Sequence, residues 1–318
     1  MNTINNKAHF LAIALLLFAA VPSFGQATAL SDPDIVDLEA VAKTVTVDGE
    51  ILRVEQLEIP AGKTVIVDKN LFTDRFVMRA NSTLRIKNLK KFQLNATLAY
   101  FEPNAKIVGA GVDGDSGTTP GTPGQTGYGK GGTGGGTGGA GSPGTSGTSI
   151  KIEVGLQALN NLLIDVRGGV GGNGGKGGNG GKGGAAKGDY TCNGGNGGSG
   201  GTGGKGGDGG DGGNVTFRYW NALPENVLKA LGEDEVGQLM VKNLNSLVGM
   251  TVLQTGGDLG VGGDGGAGGQ GGEGREKNIF GVGKVKRSPG SKGGSGAKGA
   301  GGISGKKGKY DVSFIPKP

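Results

Sequence analysis

Between Gly168 and Gly213, glycine holds two of every three positions. The stretch reads GGVGGNGGKGGNGGKGG, is interrupted by AAKGDYTCN, and resumes as GGNGGSGGTGGKGGDGGDGG. The third position carries mostly Asn, Lys, Ser, Thr or Asp. Nothing here repeats with the period of an amphipathic helix or of a half-buried strand. Two kinds of chain remain: a flexible linker, or a structure built on a period of three.

The pattern is not confined to this stretch. Six glycine tracts follow one another, at residues 111–127, 131–147, 168–184, 194–213, 256–272 and 290–308. In the first, glycine recurs at 111, 114 and 117, slips by one at Pro120, and resumes at 121, 124 and 127. In the last it recurs at every third residue from Gly290 to Gly308. The lengths match, which random low complexity gives no reason to expect. The tracts also pair, at 111–147, 168–213 and 256–308, and strand-like runs flank each pair: AKIVGAG and TSIKIEV, LLIDVRG and NVTFRYW, MTVLQTGG and YDVSFI. This predicts three long hairpins leaving and re-entering one β body.

A left-handed three-residue helix has no internal hydrogen bonds, so each backbone N–H and C=O must find a partner outside it. Glycine on one or two faces lets neighbouring helices approach and exchange those bonds. Ordering glycine is entropically costly, so only a bundle satisfying nearly all of these groups offsets it. Tracts three to five, mostly G-G-x, suit the inside of such a bundle. The first and last, with long stretches of one glycine face, suit its edge. At the polyproline-II rise each hairpin would project roughly 55 Å.

This periodicity, over residues 109–308, resembles the polyglycine-II bundle proteins: the tip adhesins of some phage tail fibres, the glycine-rich springtail antifreeze proteins, and bacterial collagen-like proteins. The resemblance implies a glycine-rich helical bundle, used for adhesion or for ice binding. A true collagen trimer fits less well, with Pro inside the tracts only at 120, 123 and 143. On the residues alone, an intrachain bundle, disordered linkers and a collagen-like trimer all stay open.

From Thr44 to Gly109 the chain changes character. Short alternating runs (TVTVDG, ILRVEQLEI, KTVIVD, RFVMRA, STLRIKN, FQLNATLAYF, AKIVGAG) are bounded by Gly, Asn, Asp or Pro. They read as rungs of a β-solenoid or strands of a sandwich, with few hairpin signals to favour the latter. The expected fold is mainly β: a solenoid or sandwich body over 27–108, and a 109–318 region of six polyglycine-II helices interleaved with strands. One short α-helix is expected near 224–231, with Pro224 at its first turn and Gly232 as its stop.

Residues 1–26 read as a secretory signal, with Lys7 before an apolar core from Phe10 to Val21 and small residues at Ser23-Phe24-Gly25. The expectation is an exported protein, extracellular or periplasmic, with no transmembrane segment. The one histidine, His9, lies in that signal, and Cys192 is the one cysteine. Histidine-based acid–base chemistry, histidine metal sites, thiolate zinc sites and an intrachain disulfide are thereby excluded from the mature chain. No cofactor and no enzymatic activity are expected. Cys192 is either a free thiol or half of an intermolecular disulfide, and self-association stays open.

Charge is unevenly spread. Eight acidic residues face two basic ones between Ala27 and Pro60, whereas ten basic residues face only Glu276 between Arg275 and Lys309. This favours an anionic partner for the C-terminal part; no nucleic-acid partner is expected. Three bends at a shared distal end would collect Tyr128 and Lys130; Lys187 and Tyr190; and Arg275, Lys277, Phe280, Lys284, Lys286 and Arg287. A basic, aromatic tip on a stalk suits an anionic glycan or another cell-surface polymer. Asp208 and Asp211, in GGDGGD, are weak calcium candidates beside the reading as a solvated face. The expected function is that of a secreted structural or adhesive protein. The first alternative is an ice-binding protein using Thr133, Thr137, Ala140, Thr145 and Thr148. The second is a β-solenoid carbohydrate-active enzyme, for which no carboxylate pair can be singled out.

Overall fold

The computed structural model describes residues 34–188, 191–222 and 249–316, all within one compact unit. The expected signal peptide, the helix near 224–231, and Tyr190 lie outside the described residues.

Alternation in the N-terminal part becomes strands where it was expected: β1 (Ala42–Asp48), β2 (Ile51–Ile59), β3 (Thr64–Val67), β4 (Asn70–Met78), β5 (Thr83–Ile86), β6 (Lys91–Phe101) and β7 (Lys106–Val108). A single turn of helix, α1 (Leu38–Val41), precedes them. Beyond them come β8 (Ser149–Leu159), β9 (Leu162–Asp165), β10 (Val215–Asn221), β11 (Met250–Leu253), the hairpin strands β12 (Arg275–Ile279) and β13 (Gly283–Arg287), and β14 (Tyr310–Phe314).

From β2 to β10 the chain alternates between two sheets. One has the order β1-β2-β4-β6-β8-β10-β14 and the other β11-β9-β7-β5-β3. Neighbours pair in parallel, apart from the antiparallel β1–β2 and β12–β13 pairs. None of the sheets closes into a barrel. The protein is therefore mainly β. No helix among the described residues is long and apolar enough to cross a membrane.

The core lies between the two sheets. Because side chains alternate along each strand, register carries one inward position into the same place on the next strand. Leu52, Leu71, Leu94, Ile152 and Phe217 form one such file, and all are buried. Val65, Leu84, Ile107 and Ile164 form a file on the facing sheet. Phe76 and Phe101 meet edge to face, their ring centres 5.9 Å apart. At one corner Asn81, Asn104 and Asn161 each adopt a positive φ, near 58°, 61° and 51°. Asn161 Nδ2 donates to Asn104 Oδ1 at 2.7 Å, and Asn104 Nδ2 to Asn81 Oδ1 at 3.3 Å. Asparagine tolerates this region better than other non-glycine residues, and here its amide also bonds the turn above.

The glycine tracts are out-and-back excursions of this double layer. The first tract leaves β7 and the second returns into β8; the third leaves β9 and the fourth returns into β10; the fifth leaves β11 and the sixth returns into β14. Since β7, β9 and β11 are neighbours in one sheet and β8, β10 and β14 in the other, the tracts continue both layers. Their hydrogen bonds are regular. Gly114 N–H donates to Val170 O at 2.7 Å and Gly171 N–H to Asp258 O at 2.9 Å within one layer. Gly172 N–H donates to Ser142 O at 2.8 Å and Gly207 N–H to Gly172 O at 2.7 Å between layers.

The third tract bonds to the first, second, fourth and fifth, and the fourth bonds to the second, third, fifth and sixth. The first bonds only to the second and third, and the sixth only to the fourth and fifth. Double-glycine tracts are thus central and single-glycine tracts peripheral, because each closely approached face must lack a Cβ.

The glycine slip at Pro120 has a specific outcome. The backbone keeps its phase, so Pro120, Pro123 and Thr126 inherit the inward positions of Gly111, Gly114 and Gly117. A side chain at Gly121, Gly124 or Gly127 would meet nothing within 4 Å. Proline has no N–H to donate, and between Gly117 and Thr126 the first tract donates no backbone bond to the third. In this half of the first tract, then, glycine does not mark the packed face.

Candidate functional site: the distal bends and a groove across the sheet

The three bends lie side by side at one end of the excursions. Gly129 N–H, in the first bend, donates to Ala185 O at 3.0 Å in the second. Ala186 N–H donates to Glu273 O in the third at 2.8 Å. The Lys182 ammonium bonds the Glu273 carboxylate at 2.8 Å. That hydrogen bond and the positive charge behind it hold the Glu273 carboxyl below the usual carboxylate range. Cys192 is a free thiol, half-buried. It lies so close to Gly129 that a Cβ there would come within 2.6 Å of its sulfur.

Of the residues expected at the tip, Tyr128 is 61 % exposed, and Lys130 and Lys187 are exposed as well. The remainder, apart from Tyr190, stand on the β12–β13 hairpin, which the sequence analysis does not anticipate. Its strands pair Arg275 with Arg287, Glu276 with Lys286 and Lys277 with Val285. Lys284 approaches Glu276 at 3.4 Å. The turn is Phe280-Gly281-Val282, with Gly281 and Gly283 at φ near +81° and +87°. This I-F-G-V-G string, between two short alternating runs, was the available signal. Phe280 is wholly exposed and Val282 is 72 % exposed. An apolar apex thus stands above a basic shaft.

Asp208 and Asp211 have a structural task. Asp208 Oδ1 accepts the Ile303 N–H at 2.9 Å and Asp211 Oδ1 the Lys306 N–H at 2.7 Å. Asn173, Asn179 and Asn196 do the same for Val261, Ala267 and Ser291. The third position of these triplets therefore supplies acceptors for N–H groups of the adjacent parallel tract. Among the described residues no group of three or more acidic, His or Cys side chains is placed to hold a metal ion.

The threonines considered for an ice-binding face divide. Thr133, Thr137, Ala140 and Thr145 are exposed, but Thr145 Oγ1 accepts the Val112 N–H at 2.6 Å. Thr148 is buried and donates to Leu89 O at 2.7 Å.

A second feature was not legible in the sequence. A groove of about 880 Å³ crosses the outer face of the seven-stranded sheet. Its lining passes from Thr44 on β1 through Glu55 on β2, Asp74 on β4, Thr97 on β6 and Glu153 on β8 to Trp220 on β10. These residues are spread over much of the chain, and only strand pairing across the sheet makes them neighbours. Thr44 Oγ1 donates to Glu55 at 3.0 Å. Arg53 lies over the Phe72 ring, 5.4 Å from its centre. Glu153 is bonded by Lys151 at 2.9 Å and Arg218 at 3.4 Å. The groove can hold a ligand offering both apolar surface and hydrogen-bonding groups; the bends can hold an anionic one. The chain matches no family model, and comparison with curated proteins and with solved structures finds no similar protein.

Proposed function

We propose that this chain is an exported, non-enzymatic adhesive or structural protein of the polyglycine-II type. A β-solenoid body roots three polyglycine-II hairpins, which project a basic, aromatic tip toward an anionic glycan or a similar cell-surface polymer. The solenoid reading is supported by strands that alternate from β2 to β10 between two sheets and pair in parallel, with one register irregularity between β6 and β8. The polyglycine-II reading is supported by N–H donation at every third residue to tracts on several sides.

The observation that carries the function is the Phe280 apex. A fully exposed phenylalanine flanked by Ile279 and Val282 contributes nothing to folding and raises the risk of aggregation. Five basic residues against one acidic residue surround it on β12 and β13. Such a tip would gain contact through the ring and long-range attraction through the cations.

The test is retention on beads coated with an acidic polysaccharide, measured across a salt series. Binding that weakens steeply with salt, and that falls at least tenfold in Phe280→Ser with Lys277→Glu and Lys284→Glu, agrees with the proposal. The variants should keep the parent melting temperature, since all three residues are exposed. Undiminished binding by this triple variant would overturn it.

A further inference from the structure

The groove across the seven-stranded sheet is independent of the tip, and it contains an unanswered donor. Trp220 is only 8 % exposed. Its indole fits there because residue 155 is glycine: a Cβ at Gly155 would stand 2.7 Å from Trp220 Nε1. The ring lines the groove, and among the described residues its N–H makes no hydrogen bond, although the indole edge that carries it packs over Gly155 near the Thr97 carbonyl. A largely buried tryptophan usually finds a partner for this donor.

The rest of the lining has mixed chemistry. Thr44, Thr97 and Asn95 offer hydroxyl and amide groups, Asp74 and Glu55 offer carboxylate acceptors, and Phe72 offers an aromatic surface backed by Arg53. Glu153 is already compensated by Lys151 and Arg218. Val54, Ala96 and Ile315 add apolar surface between these polar groups. The exposed carboxylates of Asp74 and Glu55 oppose phosphates and uronates. Apolar ring faces alternating with hydroxyls, in an uncharged extended chain, answer each of these groups.

The geometry suits repetition. The lining comes from successive strands about 4.8 Å apart, close to the length of one sugar ring in an extended chain. Each ring would therefore meet the outward side chains of a new strand.

We propose that this groove is a binding cleft for an extended, neutral glycan chain, with the Trp220 indole N–H and the Asp74 and Glu55 carboxylates as its polar contacts. The proposal does not rest on the tip reading. The protein would then engage a glycan through its body as well as presenting its tip.

Trp220 is the one tryptophan in the chain, so its emission reports on the groove alone. The experiment is a fluorescence titration of the full-length protein with cellohexaose, xylohexaose and mannohexaose. A saturable change with at least one of them is expected. The affinity should fall at least tenfold in Thr97→Arg and in Asp74→Arg, both at exposed positions, with unchanged melting temperature. Phe280→Ser should leave the titration as it is. Absence of any saturable change up to millimolar sugar would overturn the proposal, as would a response that survives both groove variants. A hexagalacturonate that binds more tightly than all three neutral sugars would overturn the choice of ligand class.

Discussion

Two glycine-to-alanine substitutions, identical in chemistry, should differ by several kilocalories. Gly201 lies mid-way along the fourth tract, where its N–H donates to Gly178 O at 2.8 Å. A Cβ there would overlap the Gly136 carbonyl oxygen and stand 2.6 Å from its carbon. To admit the methyl, the second and fourth tracts must separate by roughly 1 Å, because non-bonded carbons settle near 3.5–4.0 Å. The bonds on either side, Gly135 N–H to Ser199 O at 2.8 Å and Gly138 N–H to Thr202 O at 2.9 Å, would stretch beyond bonding range. With two to three amide bonds lost, and about 1–3 kcal/mol for each group left unsatisfied, the cost is about 2–9 kcal/mol. That is a large part of an ordinary domain's stability. Gly121→Ala meets nothing within 4 Å, and Gly121 is not in the left-handed region. It should be neutral, or stabilise by about 0.4–1 kcal/mol through the unfolded chain. Urea unfolding with a common m-value separates the two. Hydrogen exchange at Gly135 and Gly138 should accelerate only in Gly201→Ala. If the two variants unfold within about 0.5 kcal/mol of each other, the tracts do not pack as described and the reasoning fails.

Asp208→Ala removes the acceptor for the Ile303 N–H and should cost about 0.5–1.5 kcal/mol; Asp208→Asn should restore most of it in the same denaturation assay, whereas a purely electrostatic role would not be rescued. Glu102 is held below the usual carboxylate range first by its hydrogen bond from Arg79 and then by the Ala80 N–H. A depressed folded-state value means that its contribution is present above the ordinary glutamate pKa, about 4.3, and disappears as pH falls through the lower folded value. Glu102→Gln should therefore flatten the acid limb of a melting-temperature-versus-pH curve and leave the neutral region parallel to the parent; an unchanged acid limb counts against the assignment. Asn104→Ala loses both a positive-φ residue and the middle of the corner ladder, and should cost about 1–3 kcal/mol. Asn104→Gly restores only the backbone freedom and should fall between the two in a thermal melt.

Much of this architecture can be read in local pattern. The strands from Ala42 to Val108 follow from alternation, and the ordering of tracts from centre to edge follows from the number of glycine faces, because a missing Cβ is a local requirement for close approach. That the bends meet follows from equal tract lengths and from roots on neighbouring strands. Tertiary structure decided what depends on register and phase. Pro120 turns the following glycines outward because the backbone continues its period where the glycine pattern slips. Asp208 acts on Ile303, and Asn173 on Val261, only because parallel tracts lie beside each other at a set offset. The β12–β13 hairpin was too short for its alternation to stand out from the surrounding lysines. The groove was the least legible feature. Glu55, Asp74, Thr97, Gly155 and Trp220 belong to five different strands, and no local window contains two of them on facing positions. Periodicity is a property of a few consecutive residues, whereas a surface across a parallel sheet depends on how far the chain travels between successive passes.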